Sequence, residues 1–281
     1  MEEGGRLMRY TVQSSKYVLK NFLYLFPFAI IPAFFLSLST DEKALYKVLR
    51  AFFSGELSKI GFNDVFRSVS VLNFGSWQAI VFGFIGIALL VVCVALMMAL
   101  MEKHLRIGKR TFNGIFSKLN DNLLSTCGYV GLLLLIYEIW SLISAALFLL
   151  AAQIKVLALA YVTFAIFFIG MHVALLAIID HIYLWLPCMQ ITGFRAFEAL
   201  HYSQQLMAAV RWKVLLGQMI PLFVCEVLIC LCAWLSSGFW VFTILTTALY
   251  SILLMIYCVR MELVYFDRDH IERADIARYY H

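Results

Sequence analysis

Charge is what this sequence has least of. Only 14% of its 281 residues are Asp, Glu, Lys or Arg and 63% are hydrophobic, against about 25% and roughly 45–50% in an ordinary soluble domain. That deficit excludes a soluble globular protein. It also excludes a disordered chain, which needs polar composition, and a fibrous one, which needs a repeat. The seven cysteines, Cys93, Cys127, Cys188, Cys225, Cys230, Cys232 and Cys258, all fall inside apolar runs. They read as small buried hydrophobes, not as a disulfide framework, a zinc site or a redox pair. HExxH, a GxSxG elbow, a phosphate-cradling glycine loop and paired carboxylates on a water-facing domain are all missing, so an aqueous enzyme has nowhere to sit. The same lack leaves no expected cofactor, metal or nucleic-acid partner.

Long apolar runs are abundant. A helix crosses a roughly 30 Å hydrocarbon layer with about 20 apolar residues. Six stretches qualify: 22–38, 77–101, 123–152, 156–188, 214–235 and 239–259. The expected fold class is therefore all-α, a polytopic membrane protein with six transmembrane helices forming a single domain over residues 1–281. Lys and Arg set its orientation, because they concentrate on cytoplasmic flanks. With the amino terminus inside, 16 of them fall on inner segments, among them Arg6, Lys103, Arg211, Arg260 and Arg278, and 6 on outer ones. Both termini are expected in the cytoplasm. Trp77, Trp234 and Trp240 at outer ends and Trp185 and Trp212 at inner ends agree with interfacial placement, and only Trp140 lies within a span. The first run is expected to be retained and not cleaved as a signal peptide, since a long, organised region precedes it.

The runs pair into three hairpins, each preceded by a basic or amphipathic stretch: Arg6 to Asn21, Thr111 to Asn122 and Ile191 to Lys213. In the second, Phe112, Ile115, Phe116, Leu119 and Leu123 keep the spacing of one helical face, with Lys109, Arg110 and Lys118 around it. Such a helix is expected to lie on the inner membrane surface, against anionic lipid headgroups. The steps Lys20-Asn21-Phe22-Leu23, Asp121-Asn122-Leu123-Leu124 and Arg211-Trp212-Lys213-Val214 mark the turn into the membrane. Ordinary basic loops would look similar. The outer segment 41–76 carries one further amphipathic helix, with Leu45, Val48, Leu49, Phe52 and Phe53 on one face and Gly55 as its stop. It rests on lipid, caps a cavity or meets a partner.

These surface steps, together with the tail Val264-Tyr265-Phe266-Asp267-Arg268 after the last run, resemble a group of bacterial six-span membrane proteins. The group includes the membrane domain attached to some glycerophosphodiester phosphodiesterases and the YciC-like inner-membrane proteins. The resemblance lies in layout and short motifs. It implies a bacterial cytoplasmic membrane and a transport-related or accessory role, without the phosphodiesterase activity, whose soluble domain this sequence lacks.

Ionisable residues deep in a span are costly and invite a functional reading. Here they are Glu138, His172, Asp180, His181 and Glu226. If the third and fourth runs fold back near residue 154, Glu138 and His172 lie 16 and 18 residues from the turn, at nearly one level. A polar layer of Glu138, His172 and Glu226, with Asp180 nearer the inner end, could share a proton or bind a cationic group. The alternative is a neutral pair that only fixes helix packing. His172 and His181 are nine residues apart, on opposite faces of a helix, and share no metal. Pro27, Pro32 and Pro221 lie inside spans as candidate helix breaks, and Pro187 ends the fourth. The carbonyl each releases must find a partner in a neighbouring helix, a side chain or water. Two functional classes fit. One is a permease, or the membrane subunit of an exporter coupled to a partner ATPase, handling a lipid-like, peptide-like or amphipathic substrate. The other is an accessory, assembly or immunity protein that binds another membrane protein. An intramembrane enzyme is a third and poorer fit. The mixed-charge tail from Arg260 onward is expected to be a short solvated helix.

Overall fold

The computed structural model describes residues 9–236 and 238–277. Arg6 in the first basic stretch and Arg278 in the tail lie outside these. Among the described residues there are helices and no strand. Six helical segments are long and apolar enough to cross a membrane: Phe22–Ser39, Trp77–Ile107, Ile115–Ala152, Leu157–Ile191, Arg211–Leu235 and Phe239–Arg268.

The chain opens with α1 (Arg9–Lys20), which a turn at Asn21 separates from α2 (Phe22–Ser39). Asn21 makes that turn by donating both its backbone N–H and its side-chain Nδ2 to the Tyr17 carbonyl, each at 2.9 Å. Next comes the segment read as an amphipathic helix, and α3 (Glu42–Ser54) forms there. Asp41 caps it by accepting the Ala44 N–H at 3.0 Å. Gly55 ends it in the left-handed region at φ 74°, where a side chain would be strained. A short α4 (Phe62–Val69) follows. These two helices do not stand away from the bundle: α3 packs on the fifth long helix and α4 on the third. Leu45 is buried beside Ala233 and Phe242, and Tyr161 donates to the Phe52 carbonyl at 2.6 Å. The Lys47–Asp64 pair at 2.7 Å ties α3 to α4.

The long helices α5 (Trp77–Ile107), α6 (Ile115–Ala152), α7 (Leu157–Ile182), α10 (Arg211–Leu235) and α11 (Phe239–Arg268) join α2 in a ring. Each touches the next in chain order, and α11 closes back onto α2 and α5. Between α7 and α10 lie the short α8 (Trp185–Ile191) and α9 (Ala196–Ala208), and α12 (Ala274–Ala277) follows α11 and packs on α5. In lipid no hydrophobic effect pulls helices together, so close backbone approach and interhelical hydroxyl bonds must do it. Both occur around α2. Ser37 shares hydrogen bonds with Thr246 at 2.8 Å and Thr247 at 3.1 Å on α11. On the other side, a Cβ placed at Gly86 of α5 would lie 3.0 Å from the Leu36 side chain and 3.1 Å from its backbone nitrogen.

Four expectations need correction. The stretch Thr111 to Asn122 is not a separate surface helix, because from Ile115 it is continuous with the span behind it. No glycine or proline interrupts it to force a turn. The fourth run is broken at Tyr183 and Leu184, before Pro187, whose ring excludes the carbonyl of residue 183 from helical bonding. Pro27, Pro32 and Pro221 do not break their helices, which run through them. Finally, Arg260 onward is no solvated tail: α11 continues to Arg268, and Arg260–Phe266 are all buried. Met261, Leu263, Val264, Tyr265 and Phe266 form the main core with Leu100, Met101, Tyr183 and Leu186. That core sits at the end of the ring carrying α1, α8 and α9, opposite the α3 and α4 end.

Filling the tight α2–α5 seam tests this packing. Gly86→Val is expected to destabilise by about 1–3 kcal/mol, as overpacking does, lowering the thermal midpoint in detergent. Gly128→Ala, at a position with open space around it, should leave the midpoint unchanged.

Candidate functional site

Polar side chains meet inside the ring at three places. The first joins α7 to α10. His172 Nε2 lies 2.8 Å from Glu226 Oε1, and His172 Nδ1 lies 2.7 Å from the Phe168 carbonyl. A carbonyl only accepts, so Nδ1 carries a hydrogen and the Nε2–Oε1 contact holds one shared proton. The histidine is buried, and Phe168, Phe223 and Trp140 pack around its ring at 4.3–5.1 Å. Glu226 keeps 28% of its side-chain surface, yet its second oxygen, Oε2, is buried without a partner. Tyr137 on α6 and Tyr250 on α11 lie within electrostatic reach of Glu226, and Tyr137 also within reach of Glu138.

Glu138 occupies the second place and does not pair with His172. Its carboxylate accepts the N–H groups of Val71 and Leu72 at 3.0 and 3.1 Å and the Ser70 hydroxyl at 2.7 Å. Tyr137 adds a bond to the Val69 carbonyl at 3.0 Å. The segment linking α4 to α5 thus reaches about 21 Å along α6 from its end at Ala152, at ~1.5 Å per residue. There Glu138 supplies the acceptors that its irregular backbone needs. The level expected from counting is right, but the azimuth is not: two residues further on, about 200° around the helix, Trp140 is the side chain that meets His172. Its Nε1 donates to the Met171 carbonyl at 2.7 Å.

Asp180 belongs to the third place. Gln218 Nε2 donates to Asp180 Oδ1 at 3.1 Å, and Asp180 Oδ2 is buried without a partner. One residue from Gln218, the Gly217 carbonyl has lost its helical donor to Pro221. Arg260 Nη1 donates to that oxygen, and Thr11 Oγ1 donates to it at 3.0 Å. Arg260 also donates through Nε to the Tyr183 hydroxyl at 3.3 Å. Arg260 and Arg211 both lie within electrostatic reach of Asp180. Counting Arg260 as the first tail residue hid this cluster. The signal that could have revealed it is the proline, since the released carbonyl required a donor.

No group of three metal ligands occurs among the described residues. His181 Nδ1 bonds the Ala177 carbonyl of its own helix at 2.7 Å. Cys93, Cys188, Cys225 and Cys258 are buried as expected, whereas Cys127 is exposed and Cys230 and Cys232 partly so.

Two substitutions separate structural from chemical roles. Glu138→Leu strands two N–H donors and a hydroxyl, an expected cost of about 2–4 kcal/mol, read as faster proteolytic nicking of segment 56–76. Glu138→Gln keeps an acceptor oxygen and should nick near the wild-type rate. Arg260→Gln removes one of the two guanidinium charges within electrostatic reach of Asp180 and the charged donor to the Gly217 carbonyl, an expected cost of about 3–5 kcal/mol. Membrane yield and thermal midpoint should fall, and adding Asp180→Asn should restore part of the loss.

Comparison with known protein families, with characterised proteins and with solved structures returns no match, so the chemistry of these three clusters is read from their own geometry.

Proposed function

We propose that this chain is a multi-pass membrane protein of transport type, a permease or the membrane subunit of an exporter for an amphipathic substrate. Its place would be a bacterial cytoplasmic membrane with both termini inside, as the Lys and Arg distribution and the resemblance in layout suggest. The observation that carries the reading is the His172–Glu226 pair. A carboxylate inside an apolar ring costs several kcal/mol, and this one keeps a buried oxygen with no protein partner. A purely structural acid has both oxygens bonded, as Glu138 shows on the neighbouring helix. Around Glu226 the ring contributes Tyr137 and Tyr250, phenols that suit a polar headgroup beside an apolar tail.

Coupling to a soluble ATPase would use the end carrying α1, α8 and α9. There the long helices end in dense packing able to transmit a push. The shallow depression lined by Phe194, Glu198, His201, Tyr202 and Gln205 supports the second reading, an accessory protein that holds a partner without moving a substrate.

Water access separates the two. In a background with its cysteines replaced, Tyr250→Cys should react with a membrane-impermeant maleimide from one side of right-side-out vesicles, because a transport route must be wet at the Glu226 level. An accessory with a dry interior leaves Tyr250→Cys unlabelled from both sides, and that result would sink the transport reading.

A further inference from the structure

The two polar contacts between α7 and α10 are in register. His172 meets Glu226 and Asp180 meets Gln218. Each helix advances by the same eight residues between the contacts, in opposite directions, so the rungs stand about 12 Å apart along one antiparallel seam. Each rung includes one acid, and each acid leaves one oxygen buried and unbonded, Glu226 Oε2 and Asp180 Oδ2. Stranding costs free energy; of the eight such atoms among the described residues three are carboxylate oxygens, the third being Glu262 Oε2, and Glu226 and Asp180 are the two that share one seam. Two on one seam, at matched positions, point to a ligand that both can take. A carboxylate oxygen with no protein donor is free to take a proton, directly or from a water molecule bonded to it.

We propose that the α7–α10 seam is a two-rung proton relay, with the His172–Glu226 pair as one station and Asp180 as the other. This deepens the transport reading and rests on it, since it supplies that site with an energy source.

The stations differ in what surrounds them. At the first, Nδ1 of His172 is committed to the Phe168 carbonyl, so exchange is confined to the Nε2–Oε1 proton and to Oε2. Tyr137 faces it from α6, Tyr250 from α11, and Cys225 lies beside it on α10. Glu138 is already filled with donors and takes no part. A proton arriving at Oε2 gives an imidazolium beside a neutral carboxyl. Loss of one proton to water then restores the shared-proton pair. At the second station the carboxylate Oδ2 takes up that proton, and Asp180 becomes a neutral acid while Gln218 stays on Oδ1. Arg260 on α11, Arg211 on α10 and Tyr129 on α6 face Asp180. When it releases the proton toward the α1 and α9 end, the two arginines stabilise the returning negative charge.

Between the stations lie Leu176 and Ala177 on α7 and Pro221 and Leu222 on α10, none of which carries a proton. A gap of about 12 Å is too long for direct transfer, so water must enter it. Pro221 lies on α10 inside that gap. It cannot donate to the backbone ladder, and the carbonyl it releases at Gly217 is held by Arg260 and Thr11, helix-external groups.

The test uses the full-length protein reconstituted into phosphatidylcholine vesicles loaded with pyranine, with potassium and valinomycin clamping the membrane potential. After an external acid pulse, wild-type vesicles should acidify at least tenfold faster than protein-free ones. Glu226→Gln, which keeps a hydrogen bond to His172, and Asp180→Asn should each fall to the protein-free rate. Glu56→Gln, on the exposed surface, should match wild type. Monodispersity in detergent certifies each variant, and if one fails to fold the other decides. A folded Glu226→Gln or Asp180→Asn that conducts like wild type overturns the relay. So does a wild type no faster than empty vesicles. In that last case the transport reading is still judged separately, by maleimide access to Tyr250→Cys.

Discussion

A carbonyl that has lost its helical donor inside an apolar layer must be given another, and the Gly217 oxygen is where this chain meets that demand. Pro221 frees it, and two donors reach it from neighbouring helices, the charged Arg260 on α11 and the Thr11 hydroxyl on α1. A guanidinium buried there demands in turn acceptors and a counter-charge, which Tyr183 and Asp180 provide. Their presence fixes α7 beside α10 and α11. Thr11 brings α1 onto the same oxygen, and a Cβ at Gly217 would come within 2.7 Å of the Thr11 hydroxyl. One missing backbone donor thus accounts for the meeting of four helices. Charge-assisted bonds are worth about 1.5–3 kcal/mol each, and here they stand against the several kcal/mol that an unpaired group costs in lipid.

What the sequence makes legible follows from which forces are local. Six apolar runs give six membrane-length helices, because length and hydropathy decide that before any contact forms. Asp41 and Gly55 bound α3 because a cap and a left-handed stop act within a few residues. Depth along a hairpin is also local, and Glu138 and His172 stand near one level. Azimuth is not: whether Glu138 or Trp140 faces α7 depends on how α6 is rotated by the chain that packs on it. The segment at residues 70–72 claims the Glu138 side. Helix ends are illegible for a related reason. A charge after an apolar run reads as the membrane boundary, yet Arg260 sits inside because Gly217 and Asp180 receive it. The stretch from Thr111 to Asn122 reads as a surface helix by amphipathicity, but with no breaker between Ile115 and Asn122 the helix continues into the span.

Packing is uneven around the ring, and the unevenness coincides with the polar seam. In their most apolar stretches α2 and α5 bury 39% of their residues, against 17% in α6 and 22% in the α7 segment. The three mutually touching helices α2, α5 and α11 are held by hydroxyl bonds and close glycine contacts. Helices α6 and α10 pack on this triangle and α7 packs between those two, with large side chains such as Leu135, Ile166 and Val227 exposed. Both polar rungs lie between two of the loosely held helices. A core at native density resists displacement, so a separation that admits water is least opposed where few side chains interdigitate. The α3 cap spans this weak side, bonded to Tyr161 on α7 and Ser236 after α10. The dense core at the opposite end clamps the same two helices through Tyr183 and Arg260. Motion along the α7–α10 seam is thereby limited at both ends and freest between the stations, which is the stretch where a relay needs it.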